Sequence, residues 1–268
     1  MRLIATGVLV QSGIGLLSAA ADLNLIAQAS ASGYGALTGS ALLTASVQGL
    51  LSSQGSGFDP ESRATLPQEF VDTTYSLPTG GTTYTPANAS ALATDLSSAT
   101  YGDVIQLTAG VDYGNITLPN KGAGSDWIYI VSGSLGSLPA AGTRPTTADR
   151  SNMPVFTAPD ASTPAIQAAN GGHHYRFVGV NVVQDTGFNS FTLISFGVGA
   201  TSTANLPADI IFDRCLVEGL NAGQTRRGFW MNVVRGGIVD CYIHDFKEVG
   251  ADTQGILITN TPGPVRVN

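Results

Sequence analysis

Hydrophobic and polar positions alternate in short runs over the C-terminal third of the chain, and the runs recur. Tyr175–Val183 (YRFVGVNVV), Ile210–Gly219 (IIFDRCLVEG), Gly237–Phe246 (GIVDCYIHDF) and Val265–Asn268 (VRVN) place β-branched, aromatic and polar residues in a common order. With Asn181, Cys215, Cys241 and Asn268 set in one column, the spacings are 34, 26 and 27 residues. A second series falls between them: Phe191–Val198 (FTLISFGV), Gly228–Val234 (GFWMNVV) and Gly255–Asn260 (GILITN). In this series Phe229 and Ile256 are again 27 apart. Short runs separated by turns at a near-constant period predict strands that stack circuit on circuit, as in a β-solenoid. Such a fold offers a long exposed face but does not by itself name a reaction.

Upstream the pattern changes twice. Residues 1–57 form a low-complexity arm of Ala, Gly, Ser, Thr and Leu, in which Asp22 is the only charge between Arg2 and Asp59. Its glycines disfavour a helix. A segment that buries so little needs a neighbouring copy or a larger assembly to order it. Residues 58–85 read as a linker punctuated by Pro60, Pro67, Pro78, Gly80 and Gly81, with Phe70, Val71 and Tyr75 as anchor points. A short helix is predicted from Pro86 to about Ala99, capped by Thr85, with Ala89, Leu92, Ala93 and Leu96 on its apolar face. Gly102–Pro119 (GDVIQLTAGVDYGNITLP) reads as two strands around a turn at Ala109-Gly110, and Trp127–Ser132 (WIYIVS) as a third. Pro154–Ala158 and Ala165–Ala168 are short strands, with a loop carrying Arg144 and Arg150 ahead of them.

Only 12% of residues are charged and the net charge is −7. With no basic patch to neutralise phosphates, a nucleic-acid partner is not expected. No stretch has the length and apolarity of a transmembrane helix. Met1-Arg2, the apolar stretch to Leu17 and Ala19-Ala20-Ala21 have the order of a signal peptide, although Gln11, Ser12 and Gly13 interrupt the apolar run. Cys215 and Cys241 sit in one column of adjacent circuits, so their Cα atoms are expected roughly 4.8 Å apart. That is close enough for a disulfide, and equally consistent with two stacked buried thiols.

The helix followed by GDVIQLTAGVDY, NITLP and WIYIVS resembles the N-terminal cap and first coils of the pectate-lyase-like group of right-handed parallel β-helix proteins. Gly102, Asp103, Val104, Ile105, Gly110 and Tyr113 carry most of that likeness. His173–Val180 (HHYRFVGV) and the DRC and DCYI segments resemble later coils, so the resemblance spans roughly residues 82–268. It implies an all-β fold, a right-handed parallel β-helix over 86–268 with a short capping helix and the N-terminal arm in front. Asn181 and Asn268 stand where such proteins stack asparagines at a turn; Cys215 and Cys241 interrupt that ladder. The chain stops at Val265-Arg266-Val267-Asn268, half a strand, which reads as the N-terminal portion of a longer protein. The arm resembles the Ala/Gly/Ser/Thr-rich repeats of some phage structural proteins.

The resemblance implies an extracellular or virion-associated protein that binds or processes polysaccharide, by β-elimination or hydrolysis where it is an enzyme. The alternative is a non-catalytic phage tail or fibre component, trimeric or assembled through the arm. Candidate glycan-contacting residues are Arg226, Arg227, Glu218, His244, Asp252 and Trp230. Arg227 and Asp252 fall near each other one circuit apart, as a uronate site or a plain surface pair. Glu218 and His244 are 26 apart and stack as a carboxylate beside an imidazole, the raw material of acid–base chemistry, or as a solvated strand end. Trp230 faces away from Phe229 and Met231 and is the aromatic best placed to stack on a sugar. No cofactor is implied. Ca²⁺ would fall to Asp213 and Asp240, which supply fewer oxygens than the six to eight it takes. His173 and His174, as consecutive strand residues, are expected on opposite faces and so unable to share an ion.

Overall fold

The structure is a computed structural model, and it describes residues 70–268. The arm over 1–57, the first part of the linker and the signal-peptide reading lie outside the described residues.

The described residues fold into three parallel sheets with little helix. The first sheet contains β1 (Thr83–Tyr84), β2 (Val104–Leu107), β4 (Ile128–Ser132), β7 (His173–Val178), β10 (Ala208–Asp213), β13 (Gly236–Val239) and β16 (Val265–Val267), hydrogen-bonded in that order. The second contains β5 (Val155–Ala158), β8 (Asn181–Gln184), β11 (Leu216–Glu218) and β14 (Tyr242–His244). The third contains β3 (Ile116–Leu118), β6 (Ile166–Ala168), β9 (Ile194–Phe196), β12 (Arg227–Met231) and β15 (Gln254–Ile258). From β4 onward the chain visits the first, second and third sheets in strict rotation, and from β6 onward each strand pairs in parallel with the one a circuit earlier. The fold is therefore all-β and built from parallel strands, as the periodicity predicts.

Parallel register stacks like on like. Phe229 lies beside Ile256, as their spacing of 27 predicts. Inward-facing residues of all three sheets, among them Phe177, Phe212, Val182, Val217, Ile194 and Phe229, join one buried cluster. Phe177 and Phe212 stack at 4.6 Å between centroids with planes 4° apart, while Phe229 meets Phe212 edge-on at 5.1 Å. The strand spacing of about 4.8 Å imposes the first contact. Changing Phe212→Leu keeps most of the volume but removes these two ring contacts and a third, with Phe196 at 6.1 Å. It should cost about 1–2 kcal/mol, read as a lower urea midpoint at unchanged slope. A loss under about 0.5 kcal/mol would show that ring stacking contributes little here.

Three expectations need correcting. The column is off by one at Asn181 and by two at Asn268: Asn181 pairs with Leu216, and Leu216 with Tyr242, so the residue stacked before Cys215 and Cys241 is Val180, while Val267 pairs with Ile238, which sets Asn268 beside Val239. The helix α1 (Ala89–Ser98) is capped by Asn88, whose side chain accepts from Ala91 N at 3.0 Å, rather than by Thr85. Its buried residues are Leu92 and Leu96, with Ala89 and Ala93 exposed. Phe70 is exposed, whereas Val71 is buried and Tyr75 packs on Tyr129 at 5.8 Å. Cys215 and Cys241 are free and buried, and Cys215 N donates to Cys241 Sγ at 3.4 Å. Burial, then the Cys215 thiol, pushes the Cys241 thiol well up.

Candidate functional site

The last residues of β11 and β14 are Glu218 and His244, and they are register partners. They lie in a groove of about 650 Å³ whose lining includes Arg150, Asn181, Gln184 and Asp245. Arg150 Nε donates to Glu218 Oε1 at 2.8 Å and Nη2 donates to Oε2, a bidentate pair that fixes the carboxylate. That hydrogen bond also raises the guanidinium of Arg150. His244 Nε2 lies 3.4 Å from Glu218 Oε2, and Nδ1 lies 2.9 Å from Asp245 Oδ2. Tyr242 stacks on the imidazole at 4.4 Å. One ring thus stands between a buried carboxylate and one whose side chain is 50% exposed.

Local backbone explains the arrangement. Asp245 has a φ of 63°, which ends β14 in a left-handed turn and leaves its carboxylate on His244 Nδ1. The facing residue one circuit earlier is Gly219, where a Cβ would lie 2.1 Å from Asp245 O. Only glycine admits that approach. Two buried polar atoms of the lining, Asn181 Oδ1 and His244 Nε2, have no hydrogen-bond partner among the described residues. Such atoms cost free energy unless something satisfies them.

A second cluster lies on the outward face of the third sheet. Arg226 forms an ion pair with Glu248, and its guanidinium carbon lies 4.9 Å from the Phe191 ring centre. Arg227 lies 4.7 Å from the Phe191 ring and 4.9 Å from that of Trp230. The two rings are 5.8 Å apart, and Phe191 is 40% exposed. Trp230 Nε1 donates to Thr259 Oγ1 at 2.8 Å, while its neighbours Phe229 and Met231 are fully buried. Arg227 Nε donates to Gln254 Oε1 at 3.0 Å, and its buried Nη1 has no hydrogen-bond partner. Burial, then the adjacent Arg226 cation, moves Arg227 below the usual guanidinium range. The clusters meet through Thr225, next to Arg226, whose hydroxyl donates to Gln184 of the groove.

The structure thus brings Glu218 to His244, and Arg226 and Arg227 to Trp230. It does not pair Arg227 with Asp252. The register is Arg227 to Gln254, and Asp252 acts on Arg227 only through space. Nor do Asp213 and Asp240 face each other. Asp213 is held by Arg176 and Arg214, and Asp240 accepts from Gly142 N at 2.7 Å. Among the described residues no group of three or more His, Cys, Asp or Glu converges as a metal would require. Sequence reasoning missed Arg150, Asn181, Gln184 and Phe191. Arg150 was visible only as a cation in a loop, and its partner is 68 residues away. Among the described residues no helix is long and apolar enough to cross a membrane. Comparison with protein-family models gives no match, and no curated protein matches the chain.

Proposed function

We propose that this chain is a right-handed parallel β-helix of the pectate-lyase-like kind, working outside the cell or on a virion. It holds a polysaccharide on the face built by Phe191, Trp230, Arg226 and Arg227, and transfers protons on it in the adjoining groove through Glu218 and His244. The observation that carries the reading is the arginine–aromatic face: an exposed ring for a sugar to stack on, with two guanidiniums packed against it. Aromatic rings supply contact area, and a planar fork of N–H groups suits carboxylates and vicinal hydroxyls. The rotation of the chain through three parallel sheets supports the β-helix. Right-handedness follows the strong preference of parallel crossovers.

The test is a panel of acidic and neutral polysaccharides, including polygalacturonate and dextran. Retention by the full chain is measured with and without Ca²⁺, alongside release of reducing ends or unsaturated products. An acidic glycan should bind, and Arg227→Gln should weaken it at least about tenfold, the loss of about 1.4 kcal/mol. Retention of none of the panel would sink the reading. The arm composition favours a second reading, a non-catalytic tail or fibre component assembled through residues 1–57. Intact mass and sizing separate the two. A trimer retaining Met1 supports the virion role; a monomer cleaved after Ala21 supports secretion.

A further inference from the structure

The arginine–aromatic face is balanced in charge. Arg226 is paired with Glu248, and Glu248 and Asp252 both act on Arg227 through space. Lys247, the further cation of that loop, turns away and donates to Asn221 O. Two cations meet two carboxylates, so the face as built offers an acidic chain little net attraction. The Arg226 pair is also fork to fork: Nη2 donates to Glu248 Oε1 at 3.0 Å and Nε donates to Oε2. That is the planar, two-point geometry by which a guanidinium takes a carboxylate from any source. Beside it, 4.9 Å from the guanidinium carbon, stands the Phe191 ring, 40% exposed. A uronate would use the same two parts, its acid group in the fork and its sugar ring on the aromatic face. In the free protein the chain supplies the acid group itself and leaves the ring open.

The backbone around Glu248 is held on both sides. Lys247 N donates to Thr225 O at 3.1 Å and Thr225 N to Lys247 O at 2.9 Å. Val249 N donates to Gln224 Oε1, and the chain then turns at Gly250, whose φ is 80°. Glu248 therefore reaches Arg226 by its side chain alone. A change of rotamer withdraws the carboxylate without moving any strand. Nor is the pair sealed from water, since the Arg226 and Glu248 side chains are 26% and 22% exposed. An ion pair that open to solvent contributes little and can exchange partners.

We infer that Glu248 is an internal stand-in for the glycan's own carboxylate: it fills the Arg226 fork in the free protein and yields it to a uronate whose ring stacks on Phe191. This role for Glu248 rests on the glycan reading of the face and adds the residue that sets its selectivity. A neutral glycan has nothing to offer the fork, so it leaves the Arg226–Glu248 pair in place and gains only the aromatic contact. An acidic glycan exchanges one carboxylate for another. Its affinity is lowered by the internal competitor and by repulsion from the displaced Glu248. A pair that merely held the loop in shape would act in the opposite sense, because removing it would loosen the face and weaken every glycan.

The test measures retention of polygalacturonate and of dextran by the full chain and by Glu248→Gln, Asp252→Asn, Arg226→Gln and the double variant Arg226→Gln with Glu248→Gln. Glu248→Gln should tighten polygalacturonate about fivefold, the equivalent of about 1 kcal/mol for an ion pair of this exposure, and leave dextran unchanged. Asp252→Asn removes an equal charge near Arg227 but outside the fork, and should give less than half that gain. In the Arg226→Gln background, Glu248→Gln should add nothing, because the competition needs the fork. Polygalacturonate affinity that is unchanged or lowered in Glu248→Gln would overturn this role. So would an equal gain from Asp252→Asn, or a gain that persists without Arg226, since either marks a general effect of charge. These results leave the glycan face standing, because the wild type still retains polygalacturonate. Retention of neither glycan by the wild type or by Glu248→Gln would remove the face as a glycan site, and the role of Glu248 with it.

Discussion

Glu218→Gln should lower cleavage of a bound glycan by about 10²–10⁴-fold, the usual contribution of a positioned acid or base, while glycan affinity stays nearly constant. Gln has the same volume and keeps one acceptor for Arg150, so the groove retains its shape. What disappears is the proton-exchanging carboxylate beside His244 Nε2, 3.4 Å away. The affinity is expected to survive because Phe191, Trp230 and Arg227, which hold the chain of sugars, touch neither oxygen of Glu218. A structural role is separable by two readings. Thermal melting should move little, since the Arg150 side chain is 49% exposed and a partly exposed ion pair is worth only about 0–1 kcal/mol. The pH–rate profile should also lose one limb, which a mere loosening of the groove would not cause. Unchanged cleavage in the variant would remove Glu218 and the groove from the chemistry and leave the face as a binding surface only.

What could be read in advance follows from which distances along the chain are constant. Glu218 and His244 could be matched by counting because the circuit joining β11 to β14 has no insertion relative to its neighbour. The same holds for Phe229 and Ile256. Asn181 was misplaced by one because its spacing of 34 to Cys215 includes the long excursion around β9 and the residues after it. Once a loop varies, the count no longer fixes the register. Asp252 stands within electrostatic reach of Arg227, but a turn residue has no ladder partner, and the residue that hydrogen-bonds Arg227 is Gln254, on the strand itself. His173 and His174, expected on opposite faces, meet with their Nδ1 atoms 2.6 Å apart. Alternation along a strand presumes extended backbone, and nothing in the letters HH announces a φ of 59°. Arg150 illustrates the remaining limit. Loop residues carry no period, so a contact between a loop and a strand in another circuit leaves no trace in spacing.

Arg176→Met should destabilise the protein by about 3–5 kcal/mol, the usual cost of breaking a buried ion pair from one side. At about 2–4 °C per kcal/mol for a domain of this size, the melting temperature should fall by roughly 6–20 °C. Arg176 is 2% exposed. It donates to Asp213 Oδ2 at 2.9 Å, to Thr74 O at 3.3 Å and to Thr73 O, and it lies 3.9 Å from the centre of the Tyr75 ring. Met fills the space of the stem but leaves two carbonyls without a donor and Asp213 with Arg214 alone, 2.9 Å from its Oδ1. That remaining partner places the expected loss nearer the lower bound. The effect should also be local in a recognisable way. Arg176 reaches from β7 to the segment around Thr73–Tyr75, and Arg214 adds a bond to Tyr75 OH at 2.7 Å. Removing the first clamp should therefore raise hydrogen exchange and protease cleavage near residues 71–75 before the sheets open. Arg176, with Arg214 and Arg266 beside it, thus ties the linker to the first sheet, which explains a charged side chain buried in a chain so poor in charge. If stability falls by less than about 1 kcal/mol and exchange near Tyr75 is unchanged, the aromatic packing of Tyr75 on Tyr129, and not the ion pair, holds that segment.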